Sequence, residues 1–149
     1  MSGRTLQEFT YSPGYSDMRG ARHSERLRKN EQGAWVVVLS DRPCFGKPTT
    51  VTTYAASDEA VASFEAFLAE KDVPSLTKRR KSDEFIHDYS PFECRILYAD
   101  PASAGGRAYY RFCEYQRFSA EDRALIAELR ERFRALRGEK LSEEQREDD

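Results

Sequence analysis

Apolar positions along this chain come in short runs whose period switches between two and about three and a half, and the switches mark the elements. Leu6 to Tyr11 reads as a first short strand, closed by the turn Ser12-Pro13-Gly14. Ala34 to Leu39 (Ala-Trp-Val-Val-Val-Leu) is β-branched and apolar on both faces, the pattern of a strand central in its sheet. Asp41 to Pro48 holds Pro43, Gly46 and Pro48 and reads as a loop, followed by a threonine-rich strand from Thr49 to Ala55. Later in the chain Phe92, Cys94, Ile96 and Tyr98 alternate with Glu93 and Arg95, which predicts a half-buried strand. Asp100 to Gly106 then forms a small-residue hairpin loop, and the aromatic stretch Ala108 to Phe118 returns as a strand beside Phe92 to Tyr98.

The helical period appears twice. Ser57 can cap a helix with Asp58 and Glu59 at its positive end, and Ala60, Val61, Phe64, Phe67, Leu68 and Lys71 make its stripe. Pro74 ends it. Ser119, with Asp122 three residues on, opens a second helix whose buried side is Leu125, Ile126, Leu129, Phe133 and Leu136. Gly138 is a plausible end for that helix, and residues 139–149 read as a charged, frayed tail.

Three stretches fit less well. Met18 to Asn30 is crowded with arginine; Ser24 to Lys29 fits a polar edge strand, and a loop fits nearly as well. Ser75 to Glu84 reads as an exposed basic loop, and Phe85 to Tyr89 as the start of a strand kinked by Ser90-Pro91. The fold expected is therefore α+β: a single domain over residues 1–138, with one largely antiparallel sheet and two helices packed on one face. Its order is β(β)ββ-α-ββ-α.

Composition narrows the function classes. The 149 residues suit one hydrophobic core, and a formal net charge of -2 gives no overall pull toward nucleic acid or a membrane. The odd cysteine count (Cys44, Cys94, Cys113), without metal-ligand spacing, fits a reducing compartment, and a cytoplasmic location is expected. Neither a phosphate loop nor a dinucleotide fingerprint occurs, and the nucleophile-elbow and zinc-protease motifs are missing too. No cofactor and no metal site are expected.

Several residues could still carry chemistry. Cys44 lies between Arg42 and Lys47, cations that favour a thiolate, and His23 or His87 could act as its base if the fold brought one near. His87-Asp88 would point to opposite faces of a strand and could not act as a dyad. Cys94 and Cys113 fall in strands expected to be hairpin partners; two buried thiols is the plainer reading, a disulfide the other. Lys78-Arg79-Arg80-Lys81 could join the arginines of Arg19 to Arg28 in a basic patch, with Tyr11, Tyr15, Tyr109, Tyr110 and Tyr115 as stacking surfaces.

With that element order in place, the chain resembles small, largely uncharacterised bacterial α+β proteins. These open with a strand and a glycine-containing turn, here Phe9-Thr10-Tyr11-Ser12-Pro13-Gly14, and close with a hairpin and a terminal helix. The resemblance is one of pattern and implies no activity and no site residues.

The reading that follows is a non-enzymatic domain that binds another protein, in an immunity or regulatory role. Its surface would comprise Arg19, Arg22, Arg26, Arg28, Tyr109, Tyr110 and Arg111, because arginine and tyrosine give large contacts with polar handles. A small enzyme or small-molecule binder with its site between the Arg42 to Pro48 loop and the hairpin is the alternative. Nucleic-acid binding is a third reading, and requires the two basic segments to meet on one face.

Overall fold

The computed structural model describes residues 3–13, 21–44, 46–80, 92–113 and 116–147. Seven strands form one antiparallel sheet: β1 (Thr5–Ser12), β2 (Arg22–Lys29), β3 (Trp35–Arg42), β4 (Thr49–Ala55), β5 (Glu93–Ala99), β6 (Arg107–Cys113) and β7 (Lys140–Arg146). Two α-helices, α1 (Asp58–Glu70) and α2 (Ala120–Arg134), and a 3-10 helix at Val73–Lys78 complete the main elements. The spatial order is β6-β5-β1-β2-β3-β4-β7. An α+β fold with one antiparallel sheet is thus present, but its strand order and its helical complement differ from the pattern read along the chain.

Register sorts the side chains into two faces, since directly paired residues share a side of the sheet. Phe9 sits opposite Leu27 on β2 and Ile96 on β5, and Leu27 sits opposite Val37 on β3. All four are buried in the core with Phe64, Phe67 and Leu68 of α1 and Ile126, Leu129 and Phe133 of α2. The Phe9 ring meets Phe64 edge-on at 5.1 Å and Phe133 at 4.7 Å, so both helices cover this face.

Local signals explain the helix ends. Ser57 Oγ accepts the Ala60 N–H at 3.1 Å. At α2, Ser119 Oγ accepts from Asp122 N–H and the Asp122 carboxylate accepts from Ser119 N–H, each at 3.0 Å, a reciprocal capping box.

Four expectations need correction. The Arg22–Lys29 stretch is no edge strand and no loop: β2 lies between β1 and β3, because Glu25 and Leu27 face the core while the arginines alternate outward. The Ser75 to Glu84 stretch is not an exposed loop throughout: Ser75 to Lys78 belong to the 3-10 helix, with Leu76 fully buried against the core, and residues 81–84 lie outside the described residues. The tail is not frayed over its described residues. Lys140–Arg146 pairs with β4, with Ala55 and Gly138 forming the join: Ala55 N–H donates to Glu139 O at 2.8 Å and Gly138 N–H to Ala55 O at 2.7 Å. Gly138 accordingly does not end the helix, which stops at Arg134; a Cβ at 138 would lie 2.8 Å from the Ala55 carbonyl oxygen. The expected strand at Phe85 to Tyr89 lies outside the described residues, as do the turn at Gly14 and the kink at Ser90-Pro91. No helix among the described residues is long and apolar enough to cross a membrane.

Candidate functional site

The face of the sheet opposite the helices carries the arginines. Alternation along β2 turns Arg22, Arg26 and Arg28 away from the core, while Glu25 and Leu27 point into it. Register extends that row across the sheet: Thr10 pairs with Arg26 on one side and Arg95 on the other, and Arg95 pairs with Arg111. Tyr109, opposite Leu97, lies on the same face with 55% of its surface exposed, and Arg107 follows at the end of β6.

Two glutamates hold this arrangement. Glu8 takes Arg26 Nε at 3.0 Å. Glu93 accepts from Arg111 at 2.6 Å and from Arg95. Burial alone would raise the Glu93 pKa, but the two guanidinium groups outweigh it and hold the carboxyl below its usual range. The arginines remain about half exposed, so each keeps donors directed at solvent.

Not every residue expected at this surface belongs to it. Tyr110 points to the helix side, where its hydroxyl accepts from Arg4 at 3.1 Å and its ring packs edge-on against Tyr98. Adjacent strand residues cannot share a face, so Tyr109 and Tyr110 had to separate. Arg19 lies outside the described residues, as do Tyr15, Tyr115 and His87-Asp88. Arg95 and Arg107 were missed, although the outward parity of Arg95 was readable from the alternation in β5.

Arg79 of the basic run does not join the patch, and Lys81 lies outside the described residues. Arg79 forms a two-pronged ion pair with Asp122 of α2, at 2.9 and 3.0 Å, on the helix layer. These bonds pull the Asp122 carboxyl down to about 2. Tyr11 is buried beneath Arg130, whose guanidinium lies 5.1 Å from the ring centre, so it offers no stacking surface.

Of the hairpin expected to face the Arg42 to Pro48 loop, the turn lies at the opposite end of the sheet from that loop. Thr5 pairs with Ala99, which puts the Asp100 to Gly106 turn at the Thr5 end of the sheet. The Cys44 loop follows Arg42, which pairs with Arg22 at the other end. Cys94 faces the helices and Cys113, opposite Glu93, faces the other way; Cys44, Cys94 and Cys113 are all free thiols. Burial pushes the Cys94 thiol far above its usual range, which makes it an inert core residue.

His23 occupies a separate polar cluster on the helix side. Its Nε2 meets Glu25 at 2.8 Å and its Nδ1 meets Asp41 at 3.1 Å, so both ring nitrogens are directed at carboxylates and neither serves Cys44 as a base. Glu25 also accepts from Arg137, just beyond α2. The hydrogen bond to Glu25 raises the His23 pKa against the opposing effect of burial, with Asp41 adding to it. A proton bound more tightly in the folded state stabilises the fold fully below the unfolded value of 6.5, and that stability is lost as pH rises through the folded value. The urea midpoint of the protein should therefore fall as pH rises above 6.5, and His23→Gln should flatten that slope. An unchanged slope in the variant would show that His23 does not carry it.

No family model, curated protein or solved structure matches this chain. The site must be judged on its own chemistry. Among the described residues this face presents arginine guanidinium groups and the exposed Tyr109, which can form paired hydrogen bonds and apolar contacts. Among the described residues no cluster of His, Cys, Asp and Glu could hold a metal ion.

Proposed function

We propose that the protein is a non-enzymatic binding domain that holds an acidic segment of another protein across β6, β5, β1 and β2, on the face opposite the helices. The observation that carries this reading is the cross-strand row Arg111, Arg95, Thr10 and Arg26, with Tyr109 beside it. Planar guanidinium groups match carboxylates with two parallel hydrogen bonds, and Tyr adds apolar area at little entropic cost. The paired strands β6, β5, β1 and β2 hold those groups on one backbone ladder. A nucleic-acid strand is the weaker fit, because sequence-tolerant binding needs several exposed rings and this face offers Tyr109 alone among the described residues. A cytoplasmic setting belongs to the same reading and is supported by the three free thiols.

A photo-crosslinking amino acid at position 109, introduced in the native cells, tests it. The expected product is a protein adduct mapping to an acidic stretch of the partner. With Arg26→Gln, Arg95→Gln and Arg111→Gln together, its yield should drop by about tenfold or more, as should the affinity of the purified partner. A nucleic-acid adduct, no adduct, or a protein adduct indifferent to the three substitutions would overturn the reading. Circular dichroism of the triple variant checks that the sheet is retained.

A further inference from the structure

β1 and β2 separate before either strand ends. Their pairing runs from Tyr11–Glu25 to Phe9–Leu27 and stops there. β1 nevertheless continues along β5 to Thr5–Ala99, and β2 along β3 to Lys29–Trp35. A bulge between Leu6 and Glu8 bends β1 at this point. The Leu6 N–H finds its acceptor on α1 instead, in the Glu65 carboxylate at 3.1 Å.

The separation opens a cleft of about 510 Å³ that cuts between the two strands. Leu6, Leu97 and Trp35 supply its apolar wall, and Arg28 and Lys29 its cations. The Lys29 ammonium sits 5.3 Å from the centre of the Trp35 ring system. Glu8, also on the lining, is neutralised by Arg26 at 3.0 Å, so the local balance is positive. Thr5 and Gln7 add hydrogen-bonding groups.

We propose that this cleft binds a small planar aromatic anion: a ring system bearing a carboxylate or a phosphate. The volume falls in the range of small-molecule sites, and an apolar wall with a few convergent polar groups is their usual lining. The ring would lie against Trp35 and Leu6 while the anionic group meets Lys29, with Arg28 on the other side of β2 adding to the positive potential. An acidic polypeptide is the poorer match here, because the cleft is bounded by strands on both sides while the arginine face is open. Lys29, Trp35 and Leu6 share the parity of the core-facing residues, whereas Arg28, Glu8 and Leu97 lie on the arginine side, so the cleft draws its lining from both faces of the sheet; its proposed ligand does not depend on the reading above.

Trp35 is the only tryptophan in the chain, so its indole N–H gives one assignable signal in a two-dimensional ¹H–¹⁵N spectrum. The full-length protein would be titrated with indole-3-acetate and with adenosine 5′-monophosphate, and in parallel with neutral indole and adenosine. Saturable shifts of the Trp35 indole and of the Thr5 to Glu8 amides are expected with at least one anion. The matching neutral compound should bind about tenfold or more weakly, and Lys29→Gln should weaken the anion by a similar factor without affecting the neutral compound. Which anion responds separates a carboxylate ligand from a phosphate ligand. No saturable shift with either anion up to about 10 mM would overturn the proposal. Equal affinity for neutral and charged compounds, or an unchanged anion affinity in Lys29→Gln, would overturn it too. Lys29 is exposed, and unshifted amides in β4 and α1 report that the variant keeps its fold.

Discussion

Phe9→Ala is expected to destabilise the fold by about 3–5 kcal/mol, the range for emptying a buried aromatic site. Phe9 is 1% exposed and is where the two halves of the core meet: Leu27 and Ile96 flank it in the sheet, and Phe64 and Phe133 cover it from above. Those neighbours belong to β2, β5, α1 and α2, which are tied into the rest of the fold and cannot all collapse into the space left behind. Net stabilities of such domains are about 5–15 kcal/mol, so this one substitution removes a large share and should lower the melting temperature by about 10–20 °C. Thr10→Ala is the internal contrast. Thr10 is the next residue along β1 but faces the other side of the sheet, and its loss should cost under about 1 kcal/mol. Comparable losses in the two variants, measured by urea unfolding, would contradict the assignment of faces.

Gln116→Leu should cost about 3 kcal/mol or more, although the shape of the side chain is nearly kept. The Gln116 amide nitrogen donates to the carbonyls of Leu76 at 3.0 Å, Thr77 at 3.2 Å and Arg79 at 3.0 Å. Its carbonyl accepts the Cys113 N–H at 2.9 Å. One buried side chain therefore satisfies the C-terminal carbonyls of the 3-10 helix and the end of β6 together. Leucine would remove the Gln116 partner of the Thr77 and Arg79 carbonyls and of the Cys113 N–H, while Leu76 O keeps the Arg79 N–H at 3.2 Å; the loss is about 1–3 kcal/mol for each group left unpaired that water cannot reach. The loss should be local before it is global: amide exchange at Leu76 to Arg79 and at Cys113 should accelerate while α1 remains protected. Gln116→Glu should be worse near neutral pH, since it directs an anion at three carbonyl oxygens. If Gln116→Leu exchanges and unfolds like the wild type, the clamp contributes nothing.

These two residues differ in how far the chain reveals them. Phe9 sits in an alternating stretch, Leu6 to Tyr11, and its burial follows from period two. Nothing near Gln116 indicates its partners, because three of them lie about forty residues earlier and are brought there by packing. The same contrast holds across the surface. Arg22, Arg26 and Arg28 were legible as a basic segment, yet the segment gave no regular period, because a strand interior to the sheet here presents one arginine-bearing face and a polar Glu25 on the other. Arg79, read as part of a free basic run, is taken up by Asp122 forty-three residues away. Tyr110 was grouped with Tyr109 by adjacency, when strand geometry puts neighbours on opposite faces.

What the sequence determined by itself was local: the strands with clean alternation, the helices with capping serines at 57 and 119, and the stripes that became the core. Each rests on interactions among residues a few positions apart, so composition and spacing suffice to specify it. Tertiary structure alone decided the strand order, the docking of β7 through Gly138 onto Ala55, the Arg111–Arg95–Thr10–Arg26 row and the cleft where β1 leaves β2. These depend on which distant strands pair and in what register, and many pairings would satisfy the same local pattern. The energy that selects among them comes from burying Phe9, Leu27, Ile96 and their neighbours together, and that sum exists only in the assembled sheet.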